Sequence, residues 1–128
     1  MVNQGYGYIV ASLGELGGNV PYTSYSARKS FIEKNPELIK KFTKAIQKGI
    51  DFVNSHDAKE IAEIIKVEFP DTDIKDIIGA INQYKSVNTW PKNTDFSKES
   101  FNHMQDIMIN AQELKEKVKY NDLIYKVK

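Results

Sequence analysis

At 128 residues, with a formal charge of +1, 41% hydrophobic and 27% charged side chains, the chain has the composition of one soluble globular domain with a single core. The near-neutral balance provides no basic field for nucleic acid and no acidic tail for a basic partner, and Arg28 is the only arginine, so the bidentate guanidinium chemistry favoured at phosphate sites is scarce. The absence of cysteine excludes disulfides, thiolate metal sites and a cysteine nucleophile.

No apolar run approaches the roughly 20 residues that span a bilayer. The first residues, uncharged through Gln4, have neither the basic nor the apolar region of a signal peptide. The expectation is a cytoplasmic protein or a chain that lacks its natural beginning. Abundant lysine, asparagine and isoleucine suggest an AT-rich bacterial genome.

In chain order, Tyr6 to Leu13 is an aromatic and β-branched run between Gly5 and Gly14, which predicts a strand. Residues 14–19 (GELGGN) predict a loop. Val20 to Ala27 predicts a second strand, begun near Pro21, which removes a ladder donor and suits a strand end or edge. Tyr22, Thr23, Ser24, Tyr25 and Ser26 place hydroxyls on both of its faces.

A short helical turn follows, and then Asn35-Pro36-Glu37 marks a helix start: a capping amide, a proline at the first helical position and a carboxylate at the positive end of the dipole. Leu38, Ile39, Phe42, Ala45, Ile46, Gly49, Ile50 and Val53 recur at helical spacing, opposite a solvated stripe of Lys40, Lys41, Lys44 and Lys48. Gly49 inside this pattern suggests a close helix contact. Ser55-His56-Asp57 ends that helix and caps a second, which stops before Pro70; Asp71-Thr72-Asp73 caps a third; Ser97 caps a fourth, with Phe101, Met104, Ile107, Met108, Ala111 and Leu114 inward. Residues 87–93 form a loop carrying Trp90, and the tail holds a turn or short helix near Asn121. The sum is an α/β chain of two strands and about four helices. A two-stranded sheet is marginal alone, so a larger fold is implied, or completion by dimerisation or strand exchange.

No catalytic constellation emerges. His56 and His103 fall on different helices, without a partner in sequence, and suit surface or helix-end roles. No H-E-x-x-H or equivalent metal set exists, the serines lack a G-x-S-x-G context, and Gly14, Gly17 and Gly18 do not make a dinucleotide or phosphate-loop fingerprint. The reading is non-enzymatic, with no cofactor and no metal. The backbone donors of Gly17-Gly18-Asn19 and the hydroxyls after them point instead to binding.

Residues 7–54, from GYIVASLGELGGNVPYT through FIEKNPEL to the end of the long helix, together with Trp90-Pro91 and the closing Tyr120-Asn121-Asp122-Leu123-Ile124, resemble the C-terminal part of substrate-binding proteins of bacterial ABC importers. The closest group is the nitrate/sulfonate/taurine, NMT1/THI5-like family. The resemblance implies part of a type 2 periplasmic-binding-protein fold, in which two lobes close on a ligand by hinge motion. Residues 5–28 then correspond to the end of the second lobe and the return crossing strand, and 29–128 to a helical part packing on the first lobe. It implies a small-anion ligand such as a sulfonate, taurine or nitrate, held near Gly17, Gly18, Asn19, Val20, Tyr22 and Thr23, with Arg28 a further candidate. It further implies permease and ATPase partners and an extracytoplasmic, lipoprotein or periplasmic location for the full-length protein. The alternatives are a small helical interaction module and a pyrimidine-biosynthesis protein of the same family.

Overall fold

The computed structural model describes residues 5–127 apart from Ile9 and Ser12. Seven α-helices are present among them: α1 Leu13–Leu16, α2 Lys29–Lys34, α3 Pro36–Ser55, α4 Ala58–Ile65, α5 Ile74–Ser86, α6 Lys98–Asn110 and α7 Tyr120–Leu123, with a 3₁₀ turn, Lys66–Glu68, after α4.

Helix α3 begins at Pro36 as expected, although the Asn35 side-chain amide donates back to Phe31 O at 2.9 Å, and three further helix starts carry the side-chain caps expected of them. Asp57 and Glu60 form a reciprocal capping box on α4: Glu60 N–H donates to Asp57 Oδ1 at 2.9 Å, and Asp57 N–H donates to Glu60 Oε2 at 3.0 Å. Asp73 caps α5 through Lys75 N–H at 2.8 Å, and Ser97 caps α6 through Ser100 N–H at 3.2 Å. Helices α5 and α6 end alike. Asn88 (φ 51°) and Gln112 (φ 62°) take the left-handed conformation just past each helix. Thr89 N–H then reaches Tyr84 O and Glu113 N–H reaches Met108 O, closing the six-to-one bond of a Schellman motif.

The two strands expected at Tyr6–Leu13 and Val20–Ala27 are absent, and no strand occurs among the described residues. The α/β assignment is therefore corrected to a helical chain. A strand exists only through its ladder, and these segments have no pairing partner. The first segment ends in the helical turn of α1, its Ile9 and Ser12 lying outside the described residues. The second runs without regular structure until Arg28, whose extended conformation (φ −64°, ψ 138°) precedes α2.

The chain divides into two compact units. One comprises Gln47–Asn93 and the described residues of Met1–Leu16. Its core is the α4–α5 pair, where Ala58, Ile61 and Ala62 meet Ile77 and Ile81, flanked by Phe52, Val53, Ile65, Ile74, Ile78 and Trp90. Burying each isoleucine is worth about 1.5–3 kcal/mol. Ala62 is wholly buried, so α4 and α5 approach across a side chain no larger than a methyl. Lys85 Nζ donates to the carbonyl of His56, and Asn54 Nδ2 to that of Pro91 at 3.0 Å, tying the end of α3 to α5 and to the Trp90 loop. His56 itself stacks on Phe52 at the end of α3, a helix-end role as expected.

The other unit comprises Gly17–Ile46 and Thr94–Lys128. Its centre is Phe101, 2% exposed, with the rings of Phe96 and Tyr120 edge-on at 6.1 and 5.7 Å. Tyr120 Oη donates to Phe96 O, and Val118 N–H donates to the buried Gln105 Oε1 at 2.6 Å, which draws the tail onto α6. Helix α6 ends at Asn110, short of the Leu114 expected to lie on it, and Ile107 and Met108 stand exposed rather than inward. The close contact expected at Gly49 is also absent: a methyl built there meets nothing within 4 Å.

Candidate functional site

The N-terminus of α6 and the Gly17–Asn19 segment frame a hollow of about 320 Å³. It is lined by Asn19, Ser97, Glu99, Ser100 and His103. The α6 sequence sets this out. Ser97 is the cap, Glu99 and Ser100 sit in the first turn, and His103 follows Ser100 by three positions and so shares its face. Ser97 Oγ accepts from Ser100 N–H, which leaves the hydroxyl hydrogen available as a donor.

From the other side, Gly17 presents its carbonyl to His103 Nε2 at 3.0 Å. A carbonyl only accepts, so Nε2 carries the proton in this contact. Gly18 follows with φ 72°, a conformation that favours glycine, and a methyl built on it lies 3.4 Å from His103 Nε2. Gly18 therefore serves a left-handed bend beside the imidazole, and Asn19 follows it into the lining of the hollow.

Of the residues expected to hold ligand, Gly17, Gly18 and Asn19 are gathered here. Val20 is half-buried and outside the lining; Tyr22 is 97% exposed, and Thr23 is exposed beyond it. Arg28 occupies the cap position of α2, exposed and making no side-chain cap. His103, expected in a surface or helix-end role, lines the hollow and bonds the Gly17 carbonyl, a placement that sequence reasoning missed. Its partner lies 86 positions earlier, and no local pattern reports such a contact. Ser97, Glu99 and Ser100 were legible only as a helix start.

A second hollow, of about 220 Å³, lies in the other unit between Asn54, Tyr84, Lys85, Asn88 and Trp90. Its Lys85 and Asn54 donate to main-chain carbonyls, and the Tyr84 and Trp90 rings meet edge-on at 5.7 Å, so these four side chains already serve the fold. No cluster of three or more potential metal ligands exists among the described residues, and no helix among them is long and apolar enough to cross a membrane.

The model of the NMT1-like family matches residues 1–67, just over half the chain, including the whole of Gly17–Thr23. The chain belongs to the NMT1-like family. A relative from Bacillus subtilis (strain 168), named "Putative binding protein YtlA", is 40% identical over 123 residues. That alignment takes in 96% of this chain but 37% of the relative, so the chain spans little more than a third of that protein's length. No solved structure matches the chain. Within the family match, the Gly17–Asn19 segment is included and α6 is not, so the hollow joins a segment inside the match to a helix beyond it.

Proposed function

We propose that this chain is part of a solute-binding protein serving a bacterial ABC importer, and that it carries one side of the ligand cleft. The observation that carries this is membership of the NMT1-like family together with 40% identity to a relative named as a binding protein. The ligand is a small organic or inorganic anion such as a sulfonate, taurine or nitrate, and it meets the protein at Gly17, Gly18 and Asn19, with Ser97, Ser100 and His103 opposite. Hydroxyl, amide and backbone N–H donors at a helix N-terminus suit an anionic head group. Val20, Tyr22 and Thr23 line the approach once the remainder of the protein is present. That remainder, a first lobe on which residues 29–128 pack, covers the apolar side chains left bare here, among them Leu38 and Phe42 of α3. The full protein works outside the cytoplasmic membrane with a permease and an ATPase, and performs no catalysis.

The test is titration of the ¹⁵N-labelled chain with taurine, an alkanesulfonate, nitrate and a pyrimidine, followed by amide shifts. Perturbations confined to Gly17–Thr23 and the first turns of α6 support the reading. Perturbations elsewhere, or none with any probe, overturn it. Uptake of the same solute, lost on deletion of the gene and of a neighbouring permease gene, tests the transport role.

A further inference from the structure

Two exposed faces of the chain carry opposite charge. On α3, Leu38, Phe42 and Ala45 follow one another at steps of four and three and so form one stripe, continued by Gly49, where an added methyl meets nothing within 4 Å. Leu38 and Phe42 stand exposed, although Phe42 takes the Tyr25 ring edge-on at 5.0 Å. Lys41 and Lys48 border the stripe, three positions past Leu38 and Ala45 respectively. Both are exposed, and neither makes an ion pair among the described residues. The second face is the outer side of α4 and of the 3₁₀ turn after it. Helix α4 turns Ala58, Ile61 and Ala62 into the core, which leaves Glu63, Ile64 and Val67 outward, Val67 76% exposed. This face is acidic on balance. Lys66 is engaged by the carbonyls of Phe69 and Pro70 at 3.0 and 2.8 Å, and Lys59 reaches Glu63 only at 3.8 Å. Glu68 and Asp71 are exposed, without an ion pair among the described residues.

We infer that these two faces dock on each other between two copies of the chain: the α3 stripe of one copy on Ile64 and Val67 of the other, with Lys41 and Lys48 against Glu63 and Glu68. Neither face suits itself, because α3 on α3 would oppose lysines and α4 on α4 would oppose glutamates. Together they match in both apolarity and charge. The small Ala45 and Gly49 let the second helix approach closely, since interaxial distance follows the side chains at the contact. With few apolar side chains on either face, the contact belongs to the small, transient class and depends on concentration. The inference does not rest on the solute-binding reading. The remainder of the longer protein, where present, competes for the same α3 stripe.

Sedimentation velocity on the full chain over a range of concentrations reads the association. The native chain is expected to associate as concentration rises, and to do so less in about 1 M NaCl, where the Debye length is about 3 Å. Two double variants, Lys41→Glu with Lys48→Glu and Glu63→Lys with Glu68→Lys, are each expected to weaken association about tenfold. Glu60 is left in place because it closes the α4 cap. An equimolar mixture of the two variants is expected to associate as the native chain does, since each face again meets its opposite. A native chain that stays monomeric overturns the inference and leaves the stripe to the rest of the longer protein. Association that survives either reversal, or a mixture that fails to restore it, assigns the contact to another surface and overturns the inference too. Unchanged helical circular dichroism in both variants shows that folding is not the cause.

Discussion

His103 Nε2 donates to the carbonyl oxygen of Gly17 at 3.0 Å, joining α6 to a segment 86 positions earlier. Both residues are only partly covered, so the bond is worth about 0.5–1 kcal/mol, at the lower end of the usual net range. Its effect is local: it fixes the Gly17–Asn19 bend over the first turns of α6. His103→Ala is expected to lower stability by that amount and to speed amide exchange at Gly18 and Asn19 before anywhere else. His103→Gln, which keeps a donor, is expected to restore part of the protection. Unchanged exchange in His103→Ala would show that the bend holds itself.

The Asp57–Glu60 capping box predicts a sharper loss. Asp57→Ala strips Glu60 N–H of its acceptor at the start of the helix that carries Ile61 and Ala62 into the core. The cost is about 1 kcal/mol, read as a lower urea midpoint at constant slope. Asp57→Asn, with a side chain that also caps well, is expected to lose much less. Equal losses for the two would assign the effect to charge in place of capping.

Glycines separate by context. Gly49 and Gly79 lie inside α3 and α5, and a methyl on either meets nothing within 4 Å. Gly49→Ala and Gly79→Ala are each expected to raise stability by about 0.5–1 kcal/mol, and to add in combination. Gly18→Ala is expected to cost about 1 kcal/mol or more, since its φ of 72° disfavours a side chain. Thermal midpoints of the four variants check the ordering.

Helix boundaries were legible because caps act over three or four residues: Asp57, Asp73 and Ser97 each begin a helix where their chemistry places it. The strands were not, because a run such as Val20 to Ala27 states a preference for extended backbone and says nothing about a partner. The segment runs unpaired and without regular structure. The two glycines and Asn19 of the candidate site could be picked out from their backbone freedom and polarity. His103 could not, since on sequence it is an ordinary residue of an amphipathic helix, set beside Gly17 only by the fold. The same holds for Gln105, whose polarity suggests exposure but whose Oε1 receives Val118 N–H in the core.

The close of α6 predicts a gain. Gln112 sits at φ 62°, a position where a side chain costs on the order of 1 kcal/mol and glycine costs none sterically. Gln112→Gly is expected to raise stability by about 0.5–1 kcal/mol, somewhat offset by the greater freedom of glycine in the unfolded chain. Gln112→Val, β-branched, is expected to lose more than that and to free the Leu114 end from the last turn. A stabilised valine variant would contradict the left-handed geometry.

Apolar exposure before α2 predicts a measurable surface. Tyr8, Val10 and Tyr22 are 91%, 96% and 97% exposed, and α3 buries none of its side chains despite its well-separated apolar and lysine faces. Trp90, by contrast, packs against the α4–α5 core. The native chain is therefore expected to bind a hydrophobic dye such as ANS while keeping the near-ultraviolet circular dichroism of Trp90, a pairing that separates bare native surface from a molten state in which both change. Supplying the portion of the relative that this chain does not span is expected to quench the dye signal. If copies of the chain cover one another instead, the dye signal falls with concentration as light scattering reports a dimer. A monomer that binds no dye would show that the segment before α2 folds onto its own chain.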